Sequence, residues 1–233
     1  MRPVNRRSVP TDKDGNDITF GHYRDARDSL IERIGDYCSY CEVCLHVAIH
    51  VEHVRPKDPN PKLERVWSNF LLACEHCNST KGDEDVVLLD YFWPDADNTA
   101  RAFEYWPDEP PRVANALNAQ HKQIAENTIK LTGLHRVPGV KDYSDRDRRW
   151  FKRKEAWGVA LIARTALDKN PSEELRTFIV QTAISRGFWS VWMAVFHDDV
   201  EMRRRFLNWF PGTAVGECFD ADTNPVPRPQ GQI

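Results

Sequence analysis

The chain has 233 residues, 41% hydrophobic and 29% charged, and its 32 basic side chains against 35 acidic ones leave a formal charge of -3. That is the composition of a soluble globular protein with one large domain or two small ones, and it excludes collagen-like, low-complexity and largely disordered chains. No run approaches the roughly 18 apolar residues of a membrane span, and the basic start Met1–Arg7 has no apolar segment behind it, so a cytoplasmic location is expected.

Residues 1–20 read as a basic N-terminal arm, with Asp14-Gly15 as a turn signal. Ala26, Leu30, Ile31 and Ile34 share one side of an expected short helix that Gly35 stops. Leu45 to His53 alternates as a strand does, with Leu45, Val47, Ile49 and Val51 on one face and His46, Ala48, His50 and Glu52 on the other. Prolines 56, 59 and 61 end it in a loop, Phe70–Ala73 reads as its antiparallel partner, and a brief helix follows near Asn78. The proline-rich stretch from Pro94 to Pro111 is expected to be irregular and to separate two lobes.

Beyond it the pattern is helical. Leu117, Ile124, Thr128 and Leu131 recur at helical spacing before Gly133, a C-cap residue. A long helix is expected from after Ser144 towards Leu167, with Trp150, Trp157, Leu161 and Ile162 inward. Pro171-Ser172-Glu173-Glu174 starts the next helix, which carries Leu175, Phe178, Ile179 and Thr182 and ends at Gly187. Phe188–Phe210 supplies one or two more, and the proline-containing tail from Pro211 is expected to be mobile.

Two Cys-x-x-Cys pairs, Cys38/Cys41 and Cys74/Cys77, lie 32 residues apart. Two-residue spacers let a knuckle present both thiolates to one tetrahedral ion, and two knuckles complete a closed structural zinc site. Cys41-Glu42-Val43-Cys44 repeats the spacing, so Cys44 competes with Cys38 for a place; Cys38 and Cys41 are preferred, with Cys44 as a buried thiol beside the strand. Between the knuckles stand Glu52-His53, then Asn69, and just after the last cysteine Asn78. A carboxylate, an imidazole and two carboxamides suit phosphodiester hydrolysis with one hard divalent ion, Mg2+ or Mn2+, and an imidazole that takes a proton from water near neutral pH.

The segments CSYCE, VEHVRPK and WSNFLLACEHCNSTKGD, from Cys38 to Asp83, resemble an HNH endonuclease with zinc knuckles, in the variant whose last motif residue is Asn. The resemblance implies an α+β, mostly helical chain with a small zinc-stabilised ββα-metal nuclease core. It further implies that His53 is the general base, that Glu52 and Asn78 hold the catalytic ion, and that Asn69 orients His53. Glu52 stands where Asp is more common and keeps the carboxylate. On a regular strand Glu52 and His53 would point to opposite faces, so the strand must end or twist there.

Tyr91-Phe92-Trp93-Pro94, Phe103-Glu104-Tyr105 and Gly187-Phe188-Trp189-Ser190-Val191-Trp192 are similar to the PtuB family of HNH subunits, found in Septu-type and retron-associated anti-phage systems. That resemblance implies a PtuA-like ATPase partner and a nucleic-acid substrate, DNA in preference to RNA. The organisation expected is a basic arm at 1–20, the nuclease domain at 21–110, a helical partner-docking or substrate-supporting domain at 111–210 and a flexible tail at 211–233.

Weaker candidates have ordinary alternatives. Lys81, Arg55 and Lys57 either meet phosphate or are solvated, His46 and His50 read as structural, His76 as exposed and Cys218 as inert. Arg146–Lys154 and Arg203–Arg205 read as solvated helix faces. The many aromatic rings of 111–210 either fill the core or spill onto a docking surface. Two readings of another class remain: a zinc-knuckle module that binds nucleic acid without cutting it, and a structural subunit with a vestigial nuclease.

Overall fold

The computed structural model describes residues 1–47 and 49–233. A 3-10 turn at Tyr23–Ala26 leads into α1 (Arg27–Ile34), which buries Leu30 and Ile34, the positions its apolar spacing assigns to one side. After Gly35 the chain forms a tight hairpin, with Tyr37 and Cys44 bridged antiparallel and the Leu45 N–H donating to the Asp36 carbonyl at 2.7 Å. This hairpin takes up residues expected in the first strand. β1 is only His50–His53, and Val47 is 80% exposed; Ala48 lies outside the described residues.

β1 pairs antiparallel with β2 (Phe70–Ala73) from His50↔Ala73 to His53↔Phe70. All four β2 residues are buried, which is why the segment reads as a continuous apolar run and not as an alternation. Cys74 caps α2 (Glu75–Lys81), completing a β-β-α unit. In the proline-rich stretch β3 (Phe103–Glu104) pairs antiparallel with β4 (Arg112–Val113), which lies just beyond it. α3 (Ala119–Thr132) is bounded by the Asn118 cap and by Gly133 in the left-handed region. There follow α4 (Arg149–Lys169), α5 (Glu173–Arg186), α6 (Trp189–Val195), α7 (Val200–Trp209) and α8 (Val215–Cys218).

Two apolar clusters divide the molecule. The first gathers α1, the β1–β2 pair, the knuckle cysteines and Ile124, Ala125 and Ile129 of α3; the second gathers α4 to α8 with Tyr37. The apolar division therefore falls between α3 and α4, not at residue 110, because α3 lays its buried stripe against the nuclease core. Val43 and Tyr105 pack against both clusters. No helix among the described residues is long and apolar enough to cross a membrane.

Three further expectations differ from the structure. The inward stripe of α4 is Ala156, Trp157, Ala160 and Leu167, while Leu161 and Ile162 face solvent at 48% and 72% exposure. The small side chains of Ala156 and Ala160 share the second cluster with Trp189 and Trp192 of α6, so volume and not hydrophobicity selects the face. The tail from Pro211 is packed: Asn98 donates to the carbonyls of Cys218 and Val226, and Ile233 is buried. The early residues do not form a free arm either, since Val4 is buried and its N–H donates to the Pro94 carbonyl.

Candidate active site

The first knuckle is the turn of the Asp36–Leu45 hairpin. Its backbone is closed by Glu42 N–H to the Cys38 carbonyl and Cys38 N–H to the Val43 carbonyl, and the Ser39 N–H ties it to Leu72 of β2 at 2.8 Å. The second knuckle is the β2–α2 junction, where Cys74 Sγ accepts from the Cys77 N–H. The Sγ atoms of Cys38, Cys41, Cys74 and Cys77 all lie within 4.8 Å of one another, and all four residues are buried. Cys41 Sγ and Cys74 Sγ are 3.7 Å apart; four thiolates at about 2.3 Å from one zinc would stand about 3.8 Å apart. Burial pushes the Cys41 and Cys77 thiols well above their ordinary range, so a central cation is what would let them ionise. The donor set is consistent with a zinc site. Cys44 is outside it and is half-buried.

Arg149, expected on a solvated face, is buried at the start of α4 and donates through Nη1 to Cys77 Sγ at 3.0 Å. Nη1 also donates to the Thr132 carbonyl, while Asp147 and the Gly133 carbonyl hold the other nitrogens. Arg153 is buried too.

Beside this centre a cavity of about 420 Å3 is lined by Tyr23, Glu52, His53, Lys57, Asp58 and Asn78, among others. Glu52 and His53 reach the same cavity because β1 ends at His53 and the chain bends at Val54 and Arg55. His53 Nε2 lies 2.9 Å from the Glu64 carbonyl, an acceptor, so this nitrogen carries the hydrogen and Nδ1 keeps its lone pair. The rings of Tyr23 and Phe70 stand edge-on to the imidazole at 4.8 and 5.3 Å. Burial lowers the His53 pKa below the ordinary imidazole value, which keeps the ring neutral.

Glu52 is buried, with Lys81 Nζ 3.0 Å and the Tyr40 hydroxyl 3.4 Å from Oε1. Burial pushes its carboxyl up to about 7 although Lys81 pulls the other way. Lys81 also donates to the His53 carbonyl at 2.8 Å, so this lysine is neither solvated nor open to phosphate. Asn69 makes no bond to the imidazole. Its Oδ1 accepts from the Arg55 N–H, and its Nδ2 donates to the carbonyls of Arg55 and Leu63, so it fixes the loop that presents the Glu64 carbonyl to His53. Asn69 thus acts on His53 through the loop and not directly.

Among the lesser candidates, Lys57 lines the cavity, Arg55 pairs with Asp85, and His76 meets the Arg146 carbonyl. Arg205 is engaged by Glu173 and Glu201, and Arg203 and Arg204 donate to carbonyls of the tail. Cys218 is buried, and burial pushes its thiol up to about 11. Tyr23, Lys81 and Arg149 are the contacts that sequence reasoning missed or misassigned. Only Lys81 had a local signal, its position three residues after Asn78 on α2.

A protein with paired knuckles under a β-β-α unit, and with an imidazole, a carboxylate and a carboxamide around one cavity, has the frame of a metal-dependent nuclease. The HNH endonuclease family model matches residues 38–84, from the first knuckle through α2. That stretch is an HNH endonuclease domain occupying about a fifth of the chain. A search of curated proteins returns no match.

Proposed function

We propose that this protein hydrolyses nucleic-acid phosphodiester bonds, DNA in preference to RNA, with His53 as general base and with Glu52 and Asn78 as ligands of one Mg2+ or Mn2+. The observation that carries this reading is the shared cavity of Glu52, His53 and Asn78 one residue away from a four-cysteine centre. A bound divalent ion supplies Lewis-acid stabilisation of the phosphate and the leaving oxygen. His53 Nδ1 accepts a proton from water, whose oxygen attacks phosphorus as the bond to the 3' oxygen breaks and that oxygen takes a proton from solvent. Asn69 keeps the base oriented through the Glu64 carbonyl. Cys38, Cys41, Cys74 and Cys77 would hold a zinc ion, which would fix the position of Asn78 directly after Cys77.

The helices α4 to α8, within the span 111–210 expected from sequence to be a separate helical domain, then serve docking or substrate support beside the nuclease core. Most of its rings belong to its own core, and Phe178 and Trp209 remain exposed at 67% and 50%. With the PtuB-like segments, these support a cytoplasmic anti-phage effector that works beside a PtuA-like ATPase. The test of the chemistry is His53→Ala. Cleavage of plasmid DNA in Mg2+ or Mn2+ should fall by roughly 100 to 10,000-fold, with metal content and circular dichroism unchanged. Cleavage at the wild-type rate would remove His53 from the mechanism, and binding of DNA without cleavage by the wild type, with and without the ATPase, would favour a binding module.

A further inference from the structure

We propose that Asp36, Cys44 and His46 form a second metal site, separate from the four-cysteine centre, for a borderline divalent cation of the zinc type. Cys44 Sγ lies 3.7 Å from His46 Nδ1 and 4.0 Å from Asp36 Oδ2, and His46 Nδ1 lies 3.8 Å from the same carboxylate oxygen. One sulfur, one nitrogen and one oxygen donor bound tetrahedrally to zinc would stand about 3.3–3.6 Å apart. A contraction of a few tenths of an ångström closes the set.

The backbone already holds these donors together. Tyr37 and Cys44 are bridge partners, and the Leu45 N–H to Asp36 carbonyl bond aligns the two ends of the hairpin. The knuckle cysteines Cys38 and Cys41 sit at the far end of the same hairpin, so the two ions would pin it at tip and base. An exposed Asp–His pair alone would contribute little and would have no need of a thiol beside it. Thiolate and imidazole select against Mg2+ and Ca2+, which separates this site from the one proposed for phosphodiester hydrolysis. The side chains of His46 and Asp36 are 71% and 37% exposed, which leaves the fourth position to water. Binding would release the Cys44 thiol proton to solvent.

The base of this hairpin lies close to the contact between the nuclease core and the helical cluster, where Val43 bridges to Gly187. The ion would therefore have a structural effect at that joint. It does not depend on the chain being a nuclease.

The full chain, first brought to one equivalent of zinc, is titrated with Co2+ and read by thiolate-to-cobalt charge-transfer absorption and by metal analysis after gel filtration. With Mg2+ in excess to keep the site at Glu52 and Asn78 filled, we expect one further equivalent of cobalt with a charge-transfer band in the wild type and in Asn78→Ala. Cys44→Ser should lose both, and His46→Ala should weaken binding by more than the roughly 10–100-fold that loss of a supporting group costs. The site is overturned if the wild type takes up no further cobalt, if the band survives in Cys44→Ser, or if Asn78→Ala and not His46→Ala removes the extra equivalent. His46 lies on the surface, so its variant keeps the test valid should Cys44→Ser fail to fold.

Discussion

His53 and Glu52 are neighbours in sequence whose burial has opposite chemical effects. Removing the imidazole from water disfavours its charged form, whereas removing the carboxyl from water disfavours its ionised form. A base that must be neutral is thereby ready over a wider range of acid pH, and a ligand that must be ionised is ready over a narrower one. We therefore expect the pH profile of cleavage to depend on metal concentration. At limiting Mn2+, protons compete for Glu52 and the rate falls as pH drops below about 7. At saturating Mn2+ the carboxylate is held ionised and the fall moves to more acid pH, below the usual imidazole value of about 6.5. Stopped-assay rates across pH 5–8 at two Mn2+ concentrations check this, and coincident profiles would exclude Glu52 as a ligand. Lys81 belongs to the same account, because its ammonium is what makes a buried Glu52 tolerable before a cation arrives.

Among the elements, the first turn of α4 makes contacts well beyond its own helix. Arg149 spans from that turn to the C-terminal carbonyls of α3 and to the sulfur of Cys77 on α2. Four thiolates around one dication leave a net negative charge in a buried place, and a guanidinium hydrogen-bonded to one sulfur offsets part of it. Replacing Arg149 by Met, together with Asp147→Asn so that no carboxylate is left unpaired, should weaken zinc retention by roughly 10–100-fold. Zinc transfer to a chromogenic chelator measures this, and an unchanged transfer rate would make the contact incidental. The sequence shows Arg149 only as one of several arginines near position 149. The bond depends on α3 and α4 meeting α2 from distant parts of the chain.

At the scale of the molecule, the two apolar clusters meet across a backbone contact that only glycine permits. Gly187 adopts φ +73°, and a Cβ there would lie 2.5 Å from the Glu42 carbonyl oxygen and 2.9 Å from the Cys44 nitrogen. The next residue, Phe188, donates its N–H to that same Glu42 carbonyl at 2.8 Å. The junction of α5 and α6 is thus hydrogen-bonded to the knuckle hairpin through the Glu42 carbonyl, and the Glu42 carboxylate accepts from Ser190 of α6 as well. Gly187→Ala should cost at least about 2 kcal/mol through strain and the backbone clash, which for a chain of this length lowers Tm by roughly 4–8 °C. Thermal unfolding followed by circular dichroism checks it, and a Tm within a degree of the wild type would show that the joint yields freely.

The knuckles were legible in sequence because a two-residue spacer and its turn are local. So were Glu52-His53, the apolar run of β2, the end of α3 at Gly133 and the bounds of α5, whose cap at Ser172 lies beside the residues it serves. Which side of α4 faces inward was not legible. Leu161 and Ile162 are more apolar than Ala156 and Ala160, yet the space left by α6 admits the smaller pair. Nor could spacing reveal that Lys81 would be buried against Glu52, that Asn69 would hold a loop and not a ring, or that the tail would be fastened by Asn98. Ligand spacing, caps and periodicity are written in neighbouring residues, so the sequence by itself determined the metal-binding motif and most of the helices. Burial, the choice of helix face and the partners of charged groups depend on atoms brought together from far along the chain, and those the tertiary structure alone decided.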